Sequence, residues 1–147
     1  KKLPRPVIDE LKRADLCIHA GDYIENSVIK AIEKHTAFRG VRGNMDTEQL
    51  RKKLPEKLVF EIESVRIGVT HGSGAPNGIR ERVAASFKKD KADLIIFGHS
   101  HQAYMERHDG CLYLNPGSPT DIFYTRVNTF GIVEIDGKNI APSIVKV

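Results

Sequence analysis

Cysteine is scarce in this 147-residue chain: Cys17 and Cys111 are the only two, far apart, and each sits inside an apolar strand-like run. That spacing gives no disulfide scaffold and no thiol chemistry, and it reads as two small core residues in a reducing, cytoplasmic compartment. Long hydrophobic runs are missing too. No uninterrupted apolar stretch approaches the ~20 residues that cross a bilayer, so no membrane role is expected. An excess of one charge is nearly absent, because 23 Lys and Arg are interspersed with 19 Asp and Glu for a net +4. Basic clusters such as Arg51, Lys52 and Lys53 and the terminal Lys1 and Lys2 are short, which describes a solvated surface better than a nucleic-acid groove. An initiator methionine and a signal-peptide pattern are also lacking, and Lys1 implies a chain that starts downstream of its true beginning.

What is present is an ordinary globular composition, 40% hydrophobic and 29% charged, at a length that fits one domain over residues 1–147 and buries on the order of 70% of the unfolded surface. Apolar β-type runs alternate with helical patterns through about residue 100. Val7, Ile8 and Leu11 recur at helical spacing after Pro6; Leu16 to His19 is strand-like; Ile24, Val28, Ile29 and Ile32 mark a second helix stripe. A run follows at Thr36 to Arg42, and Asp46 with Gln49 reads as a capping box for a short helix ending before Pro55. Leu58 to Ile62 and Val65 to Thr70 read as paired strands; Ile79, Val83 and Phe87 give another helix face, and Leu94 to Phe97 a strand. Beyond Gly98 strands and turns take over, with Asp109-Gly110 and Asp136-Gly137 as hairpin signals. The expectation is an α/β chain with a β-rich C-terminal third.

The apolar runs share a feature that propensity does not require. Each ends beside glycine in a residue able to bind a ligand: Gly21-Asp22, Gly43-Asn44, His71-Gly72, Gly98-His99-Ser100-His101 and Asn115-Pro116-Gly117-Ser118. Side chains two apart on an extended segment point the same way, so His99 and His101 can aim at one point. In open α/β sheets ligands sit beyond the carboxyl ends of strands, and glycine lets backbone come close to them. One carboxylate, one carboxamide and three imidazoles make an oxygen and nitrogen donor set. It suits Mn²⁺, Fe²⁺, Ni²⁺ or Zn²⁺ in a site open to water better than a closed structural zinc site.

Taken in order, Gly-Asp, Gly-Asn-x-Asp, His-Gly, Gly-His-x-His and Asn-Pro-Gly-Ser resemble the calcineurin-like metallophosphoesterase superfamily, and within it the small YfcE-type phosphodiesterases, to which the eukaryotic retromer scaffold subunit is related. The resemblance covers Leu16 to Ser118. It implies an α/β fold in which a two-sheet β-sandwich is flanked by helices, αββα in order, with a dimetal site at one edge. It also implies two divalent ions, Mn²⁺ first, with Ni²⁺, Fe²⁺, Zn²⁺ or Mg²⁺ as alternatives. Carried over by position, Asp22 bridges the metals, Asn44, His71 and His99 complete the second metal's shell, and His101 binds the first. Asp22, Asn44 and His71 are the expected catalytic residues.

Two departures stand out. The family's first strand ends in Asp-x-His, which supplies the first metal's other ligands, and Lys1 to Asp15 holds no such pattern. A chain lacking that strand keeps only Asp22 and His101 for the first metal. Met45 stands where many superfamily members carry histidine, a candidate general acid typically worth ~10²–10⁴ in rate. Among the remaining candidates, His19 reads as a hydrogen-bonded core histidine near Asp22, His35 as a helix-end residue, His108 as an exposed turn residue and Arg126 as a solvated cation. Asn115 and Ser118 read as support for the metal histidines. The leading function is a metal-dependent phosphodiesterase acting on a small phosphodiester. The competing one is a non-catalytic protein-binding scaffold of the same fold. Homo-oligomerisation stays open, and a nuclease is disfavoured by the short length.

Overall fold

The computed structural model describes residues 3–22, 26–44, 46–121 and 127–147. Ile24, Met45 and Arg126 therefore lie outside the described residues. In chain order the elements are α1 (Arg5–Leu11), β1 (Leu16–His19), α2 (Asn26–Glu33), β2 (Ala37–Gly40), α3 (Glu48–Lys53), β3 (Lys57–Ile62), β4 (Val65–Thr70), α4 (Ile79–Ser86), β5 (Leu94–Ile96), β6 (Tyr104–His108), β7 (Cys111–Asn115), β8 (Thr129–Asp136) and β9 (Asn139–Lys146).

A five-stranded mixed sheet, in the order β3-β4-β5-β7-β6, forms the centre. Its inner strands are buried on both faces, which is why β5 and β7 read as unbroken apolar runs and not as alternating ones. On one face Val65, Ile67, Val69, Leu94, Ile96, Leu112 and Leu114 pack against Ile18 and Val41 from the β1-β2 side and Val133, Ile135, Ile140 and Ile144 from the β8-β9 hairpin. On the other face α4 lays Ile79, Val83 and Phe87 over Ile95, Phe97 and Tyr113. Gly68 is what lets α4 come so near, since a Cβ there would lie 2.7 Å from the Phe87 ring. A third cluster joins Ile29 of α2 and Leu50 of α3 to Phe38 of β2. Helix, sheet, strand layer and helices thus stack in the αββα order that the sequence implies.

Two hairpin turns, β3-β4 and β8-β9, fasten the strand layer to the sheet. The Gly137 N–H donates to the Glu63 carboxylate at 2.6 Å, and the Ser64 N–H donates to the Gly137 carbonyl at 3.0 Å. The capping box at Asp46 does not form. Thr47 is the N-cap of α3, accepting from the Leu50 N–H, and Asp46 turns inward to accept from Gly43 and Asp22.

Strand direction positions the site. β4, β5 and β7 run parallel to one another in the central sheet, and β1 runs parallel to β2 in the adjoining layer. The residues following β4, β5 and β7 leave one edge of their sheet, and those following β1 and β2 leave one edge of theirs. Cross-layer contacts at the site bring these edges together.

Candidate metal centre

Asp22 sits at the focus. Its Oδ2 is 3.2 Å from His71 Nε2 and 3.6 Å from His101 Nε2, and the Asp22 and His71 side chains are only 9% and 7% exposed. Asn44 Oδ1 lies 3.0 Å from the same His71 Nε2. His99 stands edge-on to His71, ring centroids 5.2 Å apart. All five residues singled out in the sequence are therefore gathered at one edge. Among the described residues no group of three or more His, Cys, Asp or Glu side chains forms a ready metal cage; the donors close on one another instead.

Backbone geometry makes this gathering possible. Asp22, His99 and His101 all have positive φ, at 62°, 70° and 60°. Non-glycine residues in that region cost free energy and cluster at functional sites. Gly21, at φ 104°, and Gly43 supply the close approaches: a Cβ on Gly21 would lie 2.7 Å from His71 Nδ1, and one on Gly43 only 2.3 Å from Asp22 Oδ1. Asp46, buried, accepts from the Gly43 N–H at 2.6 Å and the Asp22 N–H at 3.3 Å, tying the two loops together.

The hydrogen-bond partners assign the imidazole protons. His71 Nδ1 lies 2.7 Å from the Ala20 carbonyl, which only accepts, so Nδ1 carries hydrogen. The Nε2 lone pair then faces two oxygens, from Asp22 and Asn44. Three acceptors meeting without a donor call for a cation, either a second proton or a metal ion. Burial lowers the His71 pKa, but the hydrogen bond and charge of Asp22, the Ala20 carbonyl and the charge of Asp46 outweigh it and hold it above the ordinary imidazole value. His101 lies between two carboxylates, its Nδ1 3.1 Å from Asp121 and its Nε2 3.6 Å from Asp22. The donor set thus fits divalent ions with nitrogen and oxygen ligands.

His19 is not part of the donor set. Burial takes its pKa down to about 4 against the opposing charge of Asp22, and the neutral ring accepts the Gly21 N–H at Nδ1, 3.1 Å away. Asn115 donates to the Gly98 carbonyl and to Ser100 Oγ, both at 3.1 Å, pinning the loop that carries His99 and His101. Ser118 Oγ accepts from the Asp121 N–H at 3.1 Å. His108 departs from the exposed turn residue expected of it. It ends β6, meets the Tyr104 hydroxyl at 3.0 Å and stacks edge-on against Tyr113.

Asp121 is the residue that sequence reasoning missed. It is buried, and orienting carboxylates of this kind are worth about 10–100-fold in metal affinity. Asp121→Ala is accordingly expected to weaken Mn²⁺ binding by about tenfold or more, measured by calorimetric titration.

A family model described as the calcineurin-like phosphoesterase superfamily domain matches residues 1–138. The chain belongs to that superfamily. A probable metallophosphoesterase of Methanothermobacter thermautotrophicus is 31% identical over 145 residues, 99% of this chain and 83% of that protein. A phosphodiesterase of Methanocaldococcus jannaschii is 26% identical over 86% of this chain and 80% of its own length. Among solved structures, wild-type Vps29 of Entamoeba histolytica complexed with Zn²⁺ superposes with a TM-score of 0.80 at 22% identity, over 99% of this chain and 90% of that one. This likeness is one of fold. Superfamily membership supports phosphoesterase activity and implies divalent metal ions.

Proposed function

We propose that this phosphoesterase is a metal-dependent phosphodiesterase whose centre is built on Asp22, Asn44, His71, His99 and His101. The observation that carries the reading is the convergence of His71 Nε2 and His101 Nε2 on one oxygen of Asp22, with the Asn44 carboxamide on the His71 side. Divalent ions bound there supply an acidified water and neutralise charge on the phosphoryl group. Asp22 lies between His71 and His101 and would serve ions on both sides. Asn44, His71 and His99 complete the better-furnished position, and His101, backed by Asp121, serves the other. Mn²⁺ is the proposed native ion and two the proposed number.

Three features of the chain's own residues shape the chemistry. Asn44 is neutral, so it adds an oxygen without adding negative charge that would repel a phosphodiester. Asp46 holds the two ligand loops together through their backbone amides. Met45 has no proton to give to a departing alkoxide, which favours substrates whose alcohol or phenol leaves readily.

The test is hydrolysis of bis(4-nitrophenyl) phosphate, with bound metal measured by elemental analysis. Activity that requires Mn²⁺, disappears with EDTA and returns on reloading is expected. If the protein takes up no metal, turns over no diester and matches Asp22→Ala in both respects, the alternative of a non-catalytic scaffold replaces this reading. The fold shared with Vps29 is compatible with that alternative.

A further inference from the structure

Beyond the donor set, Arg82 of α4, though exposed, reaches over the loop that follows His71 and bonds three of its carbonyls. Its Nε donates to the Ser73 carbonyl at 2.9 Å, one terminal nitrogen donates to the Asn77 carbonyl at 3.2 Å, and the other to the Ala75 carbonyl. The guanidinium lies against the backbone of the same loop. A Cβ on Gly74 would come within 3.0 Å of its central carbon, and Gly74 and Gly78 hold φ 80° and 82°. The Gly74 carbonyl then turns toward the metal centre, where His99 Nε2 lies 2.9 Å away. A carbonyl only accepts, so the hydrogen of His99 is on Nε2, the reverse of the assignment for His71, and Nδ1 is left with its lone pair.

We propose that Arg82 is a positioning residue for the metal centre: by gathering the Ser73, Ala75 and Asn77 carbonyls it holds the loop so that Gly74 fixes His99 in its Nε2–H tautomer, with Nδ1 as the donor to metal. Three carbonyls bound by one planar group with donors in a fixed fork is a task lysine cannot reproduce, since its ammonium is a single point charge. The carbonyls of residues 73, 75 and 77 bond the guanidinium, and the Gly74 carbonyl between them bonds His99. The inference rests on the reading of His99 as a ligand for its consequence, but the tautomer itself does not.

Nitrogen-15 NMR of the imidazoles in the metal-free protein, at a pH above the ordinary imidazole range, reads the tautomer directly. The expected wild-type pattern is protonated Nε2 and unprotonated Nδ1 for His99. Arg82→Lys and Arg82→Ala are expected to average the His99 tautomers and to weaken Mn²⁺ binding by about tenfold, with millimolar guanidinium partly restoring both in Arg82→Ala. A wild-type His99 protonated at Nδ1 would overturn the proposal without any variant. So would folded variants with an unchanged His99 pattern. If the tautomer responds as expected but His99→Ala binds Mn²⁺ as well as wild type, the clamp stands and the ligand reading of His99 fails.

Discussion

Asp22→Ala is expected to leave a folded protein that binds no Mn²⁺ at millimolar concentration and hydrolyses phosphodiesters at least about 10³-fold more slowly, a loss equivalent to the several kcal/mol that metal ions contribute to phosphoryl transfer. The size of the effect follows from position. His71 and His101 approach the same carboxylate oxygen, so one substitution removes the contact common to the two sides of the proposed centre. Folding responds differently. In the metal-free protein Asp22 is a nearly buried carboxylate, costly to desolvate, and because it also partners His71 its removal returns only part of that cost. Against this, alanine tolerates φ 62° less well than aspartate, a strain of about 1–2 kcal/mol. The two partly cancel, so circular dichroism and the melting temperature should change little while metal content and turnover collapse. Asp22→Asn, which keeps the shape and the tolerance of positive φ but loses the charge, should fall between the two.

Gly43→Ala is expected to disable the centre without touching a ligand. The added methyl would lie 2.3 Å from Asp22 Oδ1 and 2.5 Å from the Asp22 amide nitrogen, distances at which one loop has to move. The Gly43 amide is itself held by Asp46 at 2.6 Å, so the displacement falls on Asp22. Overpacking of this kind costs about 1–3 kcal/mol in stability, and a shift of about 1 Å in a catalytic group is worth about 10²-fold in rate. Gly110→Ala is the control. Gly110 sits in a tight turn with φ 77° and open space around it, so alanine there adds backbone strain alone. Kinetics and thermal melts of the two variants separate crowding at the site from the general cost of replacing a glycine.

Much of this arrangement was legible in the residues, for identifiable reasons. Leu16 to His19 and Cys111 to Leu114 stand out as strands because both faces or one face of each must be covered, which leaves an apolar run of the right length. Asp22, Asn44, His71, His99 and His101 stand out because each follows such a run beside glycine, and parallel strands deliver their carboxyl ends to one edge. Other features depend on contacts distant in the chain. Asp46 has the composition of a helix cap, and Thr47 beside it has the same; only the Gly43 and Asp22 amides, folded against it, decide which one caps. Asp121 follows a Pro- and Ser-rich turn without periodicity, and nothing local ties it to His101 across 20 positions. Arg82 resembles any charged residue on a surface helix until the fold brings the Ser73, Ala75 and Asn77 carbonyls to its guanidinium. His108 looked like a turn residue because it precedes Asp109-Gly110, but it pairs opposite Cys111 as the last residue of β6.

The most direct measurement is anomalous diffraction from crystals equilibrated with Mn²⁺, recorded at the manganese edge. Density is predicted within coordination distance of Asp22 Oδ2, with one peak shared by His71 Nε2, Asn44 Oδ1 and His99 Nδ1 and a second beside His101 Nε2. Manganese bound elsewhere on the surface, or none near Asp22 at concentrations that saturate activity, would contradict the account.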